Sequence, residues 1–227
     1  MIKILYEDKS ILVCVKPAGT LSEMSENSNS LPRILQQERG ADLLVVHRLD
    51  REVSGVMVYA KTKEAAARLS TAIAERNFDK EYLAIVEGEP TEHSARLEDL
   101  LFRDKRKNKT YVVNRKRQGV KEASLEYITL ESASNTSLLR IKLHTGRTHQ
   151  IRVQFASRKH PVVGDGKYGS ETRSSAIALC SHKISFKHPE TNKPLCFTYL
   201  PDEGEIWNIY AKHIRNGQKT LDNSETI

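Results

Sequence analysis

Cysteine is scarce. Cys14, Cys180 and Cys196 are the whole supply in 227 residues, and none stands at a CxxC spacing. An odd count argues against a disulfide framework, so the three read as reduced core residues of a cytoplasmic protein. Long apolar runs are missing as well. No stretch approaches the length of a membrane span, and the N-terminus MIKILYEDKS has neither an apolar h-region nor a small-residue cleavage site, so no signal peptide is expected. The sequons at Asn108 and Asn135 are therefore chance matches. There is no P-loop and no nucleophilic serine elbow. Gly164, Gly166 and Gly169 satisfy GxGxxG formally, but SETRSSA follows where a nucleotide-binding helix would have to start, so no dinucleotide is expected. Cys180, His182 and His188 do not match a zinc spacing and read as core residues. With no metal and no small-molecule cofactor expected, the chemistry has to come from ordinary side chains.

Charge is what the chain has in quantity. Charged residues make up 29% of it, with 36 Lys and Arg against 29 Asp and Glu, a net charge of +7. The surplus is local. Arg103 to Lys121 holds nine Lys or Arg and one Asp, a net +8, and the remainder holds 27 basic residues against 28 acidic ones. RDKRKNKTYVVNRKR reads as a basic hairpin with Tyr111, Val112 and Val113 between its charged stretches. Such a ribbon suits a polyanion, because released counterions drive Lys and Arg onto phosphates; it also suits a solvated edge that lysines guard against aggregation.

Strand patterns dominate. Residues 2–7 and 11–16 form a strand pair closed by the turn chemistry of Lys16, Pro17, Ala18 and Gly19. SEMSENSNS (22–30) reads as a mobile loop able to fold over the segment near residue 50. Short strands are expected at 42–46 and 56–60. A helix follows with Thr62 as cap and Ala66, Leu69 and Ile73 at helical spacing. Further strands are expected at 80–88, 123–130 and 138–144, with two around the turn at 188–194. A short helix fits Thr148 to His160, capped by Thr148, and a terminal helix fits Ile206, Trp207 and Tyr210. With few helices and no strand–helix–strand alternation, the class is α+β, a mainly antiparallel mixed sheet with flanking helices. Neither an internal repeat nor a linker stands out, so residues 1–212 are expected to form a single domain, with 213–227 a polar, flexible tail.

One stretch combines burial with charge. In VVHRLDREVSG (45–55), Asp50 follows an apolar pair and precedes the apolar run Val56 to Ala60, which places it on a turn between two strands. A carboxylate in such surroundings has to find a partner or shift its pKa, and a loop held by a rigid sheet is a common place to display a catalytic group. For a lone Asp, a cap or an ion pair with Arg48 or Arg51 would be the preferred reading. GRTHQIR (146–152) changes the balance, since an arginine offered from a helix can pair with the ionised carboxylate and hold its pKa low.

HRLDREVSGVMVYAKT (47–62), KEYLAIVEG (80–88) and TGRTHQIRVQFASRKHPVVGDGKYG (145–169), with VKPAG (15–19) and ISFKHP (184–189), closely resemble the RluA-type family of RNA pseudouridine synthases, in the family's order and over most of the chain. The resemblance implies a cofactor-independent isomerase that detaches uracil from ribose, turns it and rejoins it through C5. It makes Asp50 the catalytic aspartate, acting at C1′ as nucleophile or removing a sugar proton to give a glycal. It makes Tyr82 a tyrosine that stacks on the uracil and Arg152 the arginine that pairs with the carboxylate. Arg48 matches a residue that enters the RNA stack when the target nucleotide flips out. His47, Arg147, His149 and Gln150 are expected to shape the site or touch the backbone, and Arg115, Lys116 and Arg117 to grip RNA. Val15, Val53 and Cys180 stand where the family usually has Asn, Thr and His. Many relatives also carry an N-terminal S4-type domain, and none is expected in this chain. The expected partner is ribosomal or transfer RNA, met by a monomer away from membranes. The rival readings are an RNA-binding or ribosome-assembly factor with incidental or lost activity, and a base-releasing glycosidase. No second catalytic carboxylate stands out for the latter.

Overall fold

The computed structural model describes residues 1–26, 29–40, 42–174, 176–201, 205–212 and 214. In chain order the elements are β1 (Ile4–Glu7), β2 (Ile11–Lys16), α1 (Leu31–Arg39), β3 (Leu44–Val45), β4 (Ser54–Ala60), α2 (Lys63–Ala74), β5 (Asp79–Glu87), β6 (Ser94–Asp104), β7 (Lys109–Val113), β8 (Val120–Ala133), β9 (Thr136–Leu143), α3 (Gln150–Ala156), a 3-10 turn (Gly166–Tyr168), β10 (Leu179–Lys187), β11 (Pro194–Thr198) and α4 (Glu205–Asn208). This is the α+β class expected. The tail expected at 213–227 lies outside the described residues, Ile214 apart.

The chain divides into two compact units, Met1–Glu81 with Cys180–Tyr199, and Tyr82–Leu179 with Leu200–Ile227. In the first unit β2 pairs antiparallel with β1 and β4, β3 adds two residues to β4, and β10 pairs antiparallel with β11. Where β4 meets β10 the strands run parallel, Ser54 and Gly55 opposite Cys180 and Ser181. That approach requires glycine. Gly55 has φ +117, and a Cβ there would lie 2.2 Å from the Ser181 carbonyl oxygen. Ile11, Val13, Val56 and Val58 alternate along β2 and β4 onto one face, where Ala65 and Leu69 of α2 cover them. Phe78 and Phe186 stack in the same core with centroids 5.0 Å apart. Thr62 caps α2 as expected, its hydroxyl accepting from Ala65 N.

Helix α1 has no counterpart in the sequence reading, although its signals are present: Ser30 at the N-cap, Pro32 in the first turn and Gly40 at φ 66 as C-cap. Its polar end, Gln36 to Arg39, obscures a narrow apolar stripe of Leu31 and Leu35. The ISFKHP stretch closes this unit. His188 Nε2 donates to Asp8 Oδ2 at 2.7 Å, while its Nδ1 accepts from the amides of Glu190 and Thr191.

In the second unit β6 pairs antiparallel with β7 and β8, and β8 with β9. The basic segment is resolved into two turns flanking β7. Leu101, Ala123 and Val153 form the core between this meander and α3. The helix begins one residue later than expected, with His149 rather than Thr148 at its N-cap and at φ 55. Tyr210 is buried beside α4, and its hydroxyl meets Thr136 Oγ1 at 2.8 Å.

Candidate active site

In the first unit Asp50 is half-buried on the loop between β3 and β4, as its sequence context implies. The backbone on either side of it is held fast. Ser22 Oγ donates to Leu49 O at 2.7 Å and accepts from Leu49 N at 3.1 Å. Beyond Asp50, the Arg51 carbonyl accepts from Gly19 N at 2.8 Å and from Lys16 Nζ at 3.0 Å, and Val53 N closes a turn onto Asp50 O. The loop at 22–30 and the VKPAG turn therefore both brace the Asp50 loop.

Lys16 is the residue of this region that sequence reasoning took for turn chemistry alone. It is fully buried, and its ammonium donates to three carbonyls, those of Pro17, Thr20 and Arg51, which uses all three of its protons. Burial pushes its pKa down to about 8, opposed by the negative charges of Glu52 and Asp50. A lysine closing a wholly apolar strand, ILVCVK, was the available signal.

Arg48 is exposed, and its Nη1 meets Glu23 Oε2 at 2.8 Å on the loop that braces Asp50. An ion pair this exposed contributes about 0–1 kcal/mol and is readily exchanged for a phosphate or a base. His47 points the other way. Strand β3 pairs only Leu44 and Val45 with β4, and the next donor along β4, Val58 N–H, is taken by His47 Nε2 at 3.1 Å. Burial, with the Lys80 charge nearby, holds the ring well below the ordinary histidine pKa, so it stays neutral against Phe78. Val15, Val53 and Cys180, the departures from the family pattern, are all buried in this unit.

In the second unit Tyr82 lies on β5 at 6% exposure. Arg152 projects from α3 and is slightly more deeply buried, at 4% exposure. Its Nε and Nη2 grip Asp165 Oδ2 and Oδ1 at 2.6 and 2.7 Å, a bidentate fork with side-chain exposures of 5% and 1%. Tyr168 covers the guanidinium face, with Arg152 Cζ 5.2 Å from its ring centroid. The fork fixes the plane of the guanidinium and the ring fixes its face, so Arg152 is oriented before any substrate arrives. Sequence reasoning named neither partner. Asp165 sits after Val162 and Val163 in VVGDGKYG, the same pattern of a carboxylate behind an apolar pair that drew attention to Asp50, and only the glycines beside it were weighed.

Around α3 the remaining residues have distinct tasks. Gln150 is buried, with Oε1 accepting from Thr145 Oγ1 and Arg147 N and Nε2 donating to Ser124 O, so it shapes the TGRTH loop from within. His149 Nδ1 lies 2.8 Å from Tyr168 Oη, which already accepts from Thr110 N. Arg147 is exposed and anchored by Nε to Glu122 O. Arg115, Lys116 and Arg117 occupy the exposed turn after β7, where Lys116 pairs with Glu122 at 2.5 Å and Arg117 lies over Phe102.

A family model described as RNA pseudouridylate synthase matches residues 10–157. The chain is 34% identical over 221 residues to an uncharacterized RNA pseudouridine synthase of Aquifex aeolicus, covering 86% of this chain and 68% of that one. It is 32% identical over 215 residues to ribosomal large subunit pseudouridine synthase C of Escherichia coli, covering 88% and 67% respectively. The solved structure of human RNA Pseudouridylate Synthase Domain Containing 1 shares its fold, with a TM-score of 0.75 over 95% of each chain at 22% identity. The chain belongs to the RluA-type family of RNA pseudouridine synthases, isomerases that convert uridine in RNA to pseudouridine.

Proposed function

We propose that this isomerase acts on specific uridines of ribosomal RNA, the substrate class carried in the name of its Escherichia coli relative, as a cytoplasmic monomer without a cofactor. Asp50 is the reacting carboxylate. It attacks C1′ of the target ribose or removes a sugar proton to give a glycal. By either route the C1′–N1 bond breaks, the uracil turns and a C1′–C5 bond forms as the carboxylate leaves C1′ or returns the sugar proton, and the proton lost at C5 is balanced by the one gained at N1. Tyr82 stacks on the uracil and assists the C5 proton, and Arg152 supplies the positive charge that the carboxylate chemistry calls for. Arg48 enters the stack vacated by the flipped nucleotide, where its planar guanidinium replaces part of the lost stacking. Arg147, Arg115, Lys116 and Arg117 meet phosphates, while His47, His149 and Gln150 hold the loops that present the others.

The observation that supports this reading best is the bracing of the Asp50 loop by Lys16, Gly19 and Ser22, which fixes the backbone on both sides of one half-buried carboxylate. A cap or a surface ion pair needs no such bracing, whereas a catalytic group held in productive geometry does. The test is incubation of the wild type and Asp50→Asn with unmodified cellular RNA, followed by mapping of pseudouridine and abasic sites. Pseudouridine at defined positions that disappears in the variant is the expected result. No product from either protein would turn the reading towards an RNA-binding factor, and abasic sites would turn it towards a glycosidase.

A further inference from the structure

Phe102 of β6 stands directly opposite Tyr111 of β7 and Val120 of β8, so the two rings share one face of the meander. That face points away from the core. The alternate residues Leu101 and Ala123 pack against Val153 of α3, and Thr110 Oγ1 donates to Thr148 O. Tyr111 is 36% exposed and is the one aromatic among the exposed large hydrophobic side chains of the described residues. Packing gives no reason for an aromatic pair on the solvent side of a sheet.

Cations overlie both rings. Arg117 Cζ is 4.7 Å from the Phe102 centroid and Lys109 Nζ is 5.9 Å from that of Tyr111. Lys109 also reaches around the edge of β7, where its Nζ lies 5.2 Å from the Tyr168 centroid, and Arg152 occupies the same distance from that ring. Arginine, tyrosine, lysine, tyrosine, phenylalanine and arginine thus form one continuous strip from Arg152 to Arg117, and Lys109, Tyr111 and Arg117 of it belong to the segment that carries the chain's whole charge surplus.

We propose that this strip is a stacking platform for unpaired RNA, on which bases flanking the target nucleotide lie against Tyr111 and Phe102 while Lys109 and Arg117 meet the adjoining phosphates. The inference rests on RNA being the substrate and adds a base-binding function to a segment otherwise assigned only to phosphates. Charge complementarity selects the occupant. A protein partner would favour an apolar centre depleted of charge, whereas here each ring lies under a cation. Every nucleobase offers a π face to such a platform, so recognition there is tolerant of sequence.

The test compares binding of a labelled oligouridylate of about 12 nucleotides with an abasic oligomer of equal length and charge, across a salt series. Tyr111→Ser should weaken oligouridylate binding about 10-fold, leave the abasic oligomer unchanged and leave the salt slope unchanged. Tyr111→Trp should retain wild-type binding, which shows that the loss at Ser is one of stacking and not of folding. A serine variant that binds oligouridylate as the wild type does, or that weakens both oligomers equally, overturns the platform. Asp50→Asn separates this result from the catalytic reading: base-dependent binding that survives in a protein making no pseudouridine sustains the platform even if the isomerase assignment fails.

Discussion

The fork between Arg152 and Asp165 permits a quantitative test. Asp165→Asn keeps the shape of the side chain but removes its charge and turns one acceptor into an NH2 group facing a guanidinium N–H. One of the two short hydrogen bonds is lost, and a cation whose side chain is 5% exposed loses the charge of Asp165. Breaking a buried pair from one side costs about 3–5 kcal/mol; the acceptor retained by Asn puts the expectation near the lower end, at about 3 kcal/mol. For a chain of this length that lowers Tm by roughly 6–12 °C. Urea unfolding of Asp165→Asn, Arg152→Met and the double variant completes the cycle. Once the guanidinium is gone, Asn at 165 should cost little, so the coupling energy should exceed about 2 kcal/mol. Additive losses, or a loss below about 1 kcal/mol for Asp165→Asn alone, would refute the view that Asp165 holds the arginine in place.

Gly55→Ala should destabilise by about 2–6 kcal/mol in thermal unfolding, because positive φ and collision with the Ser181 backbone act together. Gly40→Ala, also at positive φ but with open space around it, should lose only about 1–2 kcal/mol. Lys16 has a folded pKa of about 8 against an ordinary 10.5, so between those values the unfolded chain binds more protons and stability should rise with pH, by at most about 3 kcal/mol. In Lys16→Met that rise should shrink, as a urea midpoint series over the window would reveal. Asp8 is affected in the opposite sense. Burial raises its pKa, but hydrogen bonds from Ile11 N, Ser10 N, His188 and Tyr6 outweigh burial and lower it below 3.8. Its contribution is therefore present above the unfolded value and lost as pH falls through the folded one, and acid unfolding of Asp8→Asn should be shallower than that of the wild type.

Local pattern made much of the fold legible. The alternation in KEYLAIVEG and the cap at Thr62 with its spaced Leu69 set β5 and α2 within a residue or two, since both depend on neighbours in the chain. α1 was missed because a short helix with few apolar residues carries a weak period, leaving only its caps to announce it. The site divides in the same way. Asp50 could be found because an apolar run interrupted by a carboxylate is a contradiction visible in one dimension. Asp165 presents the same contradiction, but glycines surround it and its resolution lies on another element.

By itself, then, the sequence determined to which family the chain belongs, along with the strand and helix periods, the charge concentrated in 103–121, and a carboxylate displayed on a turn. Tertiary structure decided what each of those residues faces. It turned His47 inward to take an orphan amide of β4, set Gln150 to bracing a loop, gave Arg152 the partner Asp165, and put Phe102 and Tyr111 side by side on a solvent face. Periods are local properties of a chain, whereas a buried polar group is satisfied by whatever the fold brings to it, and strand register fixes which face a ring occupies.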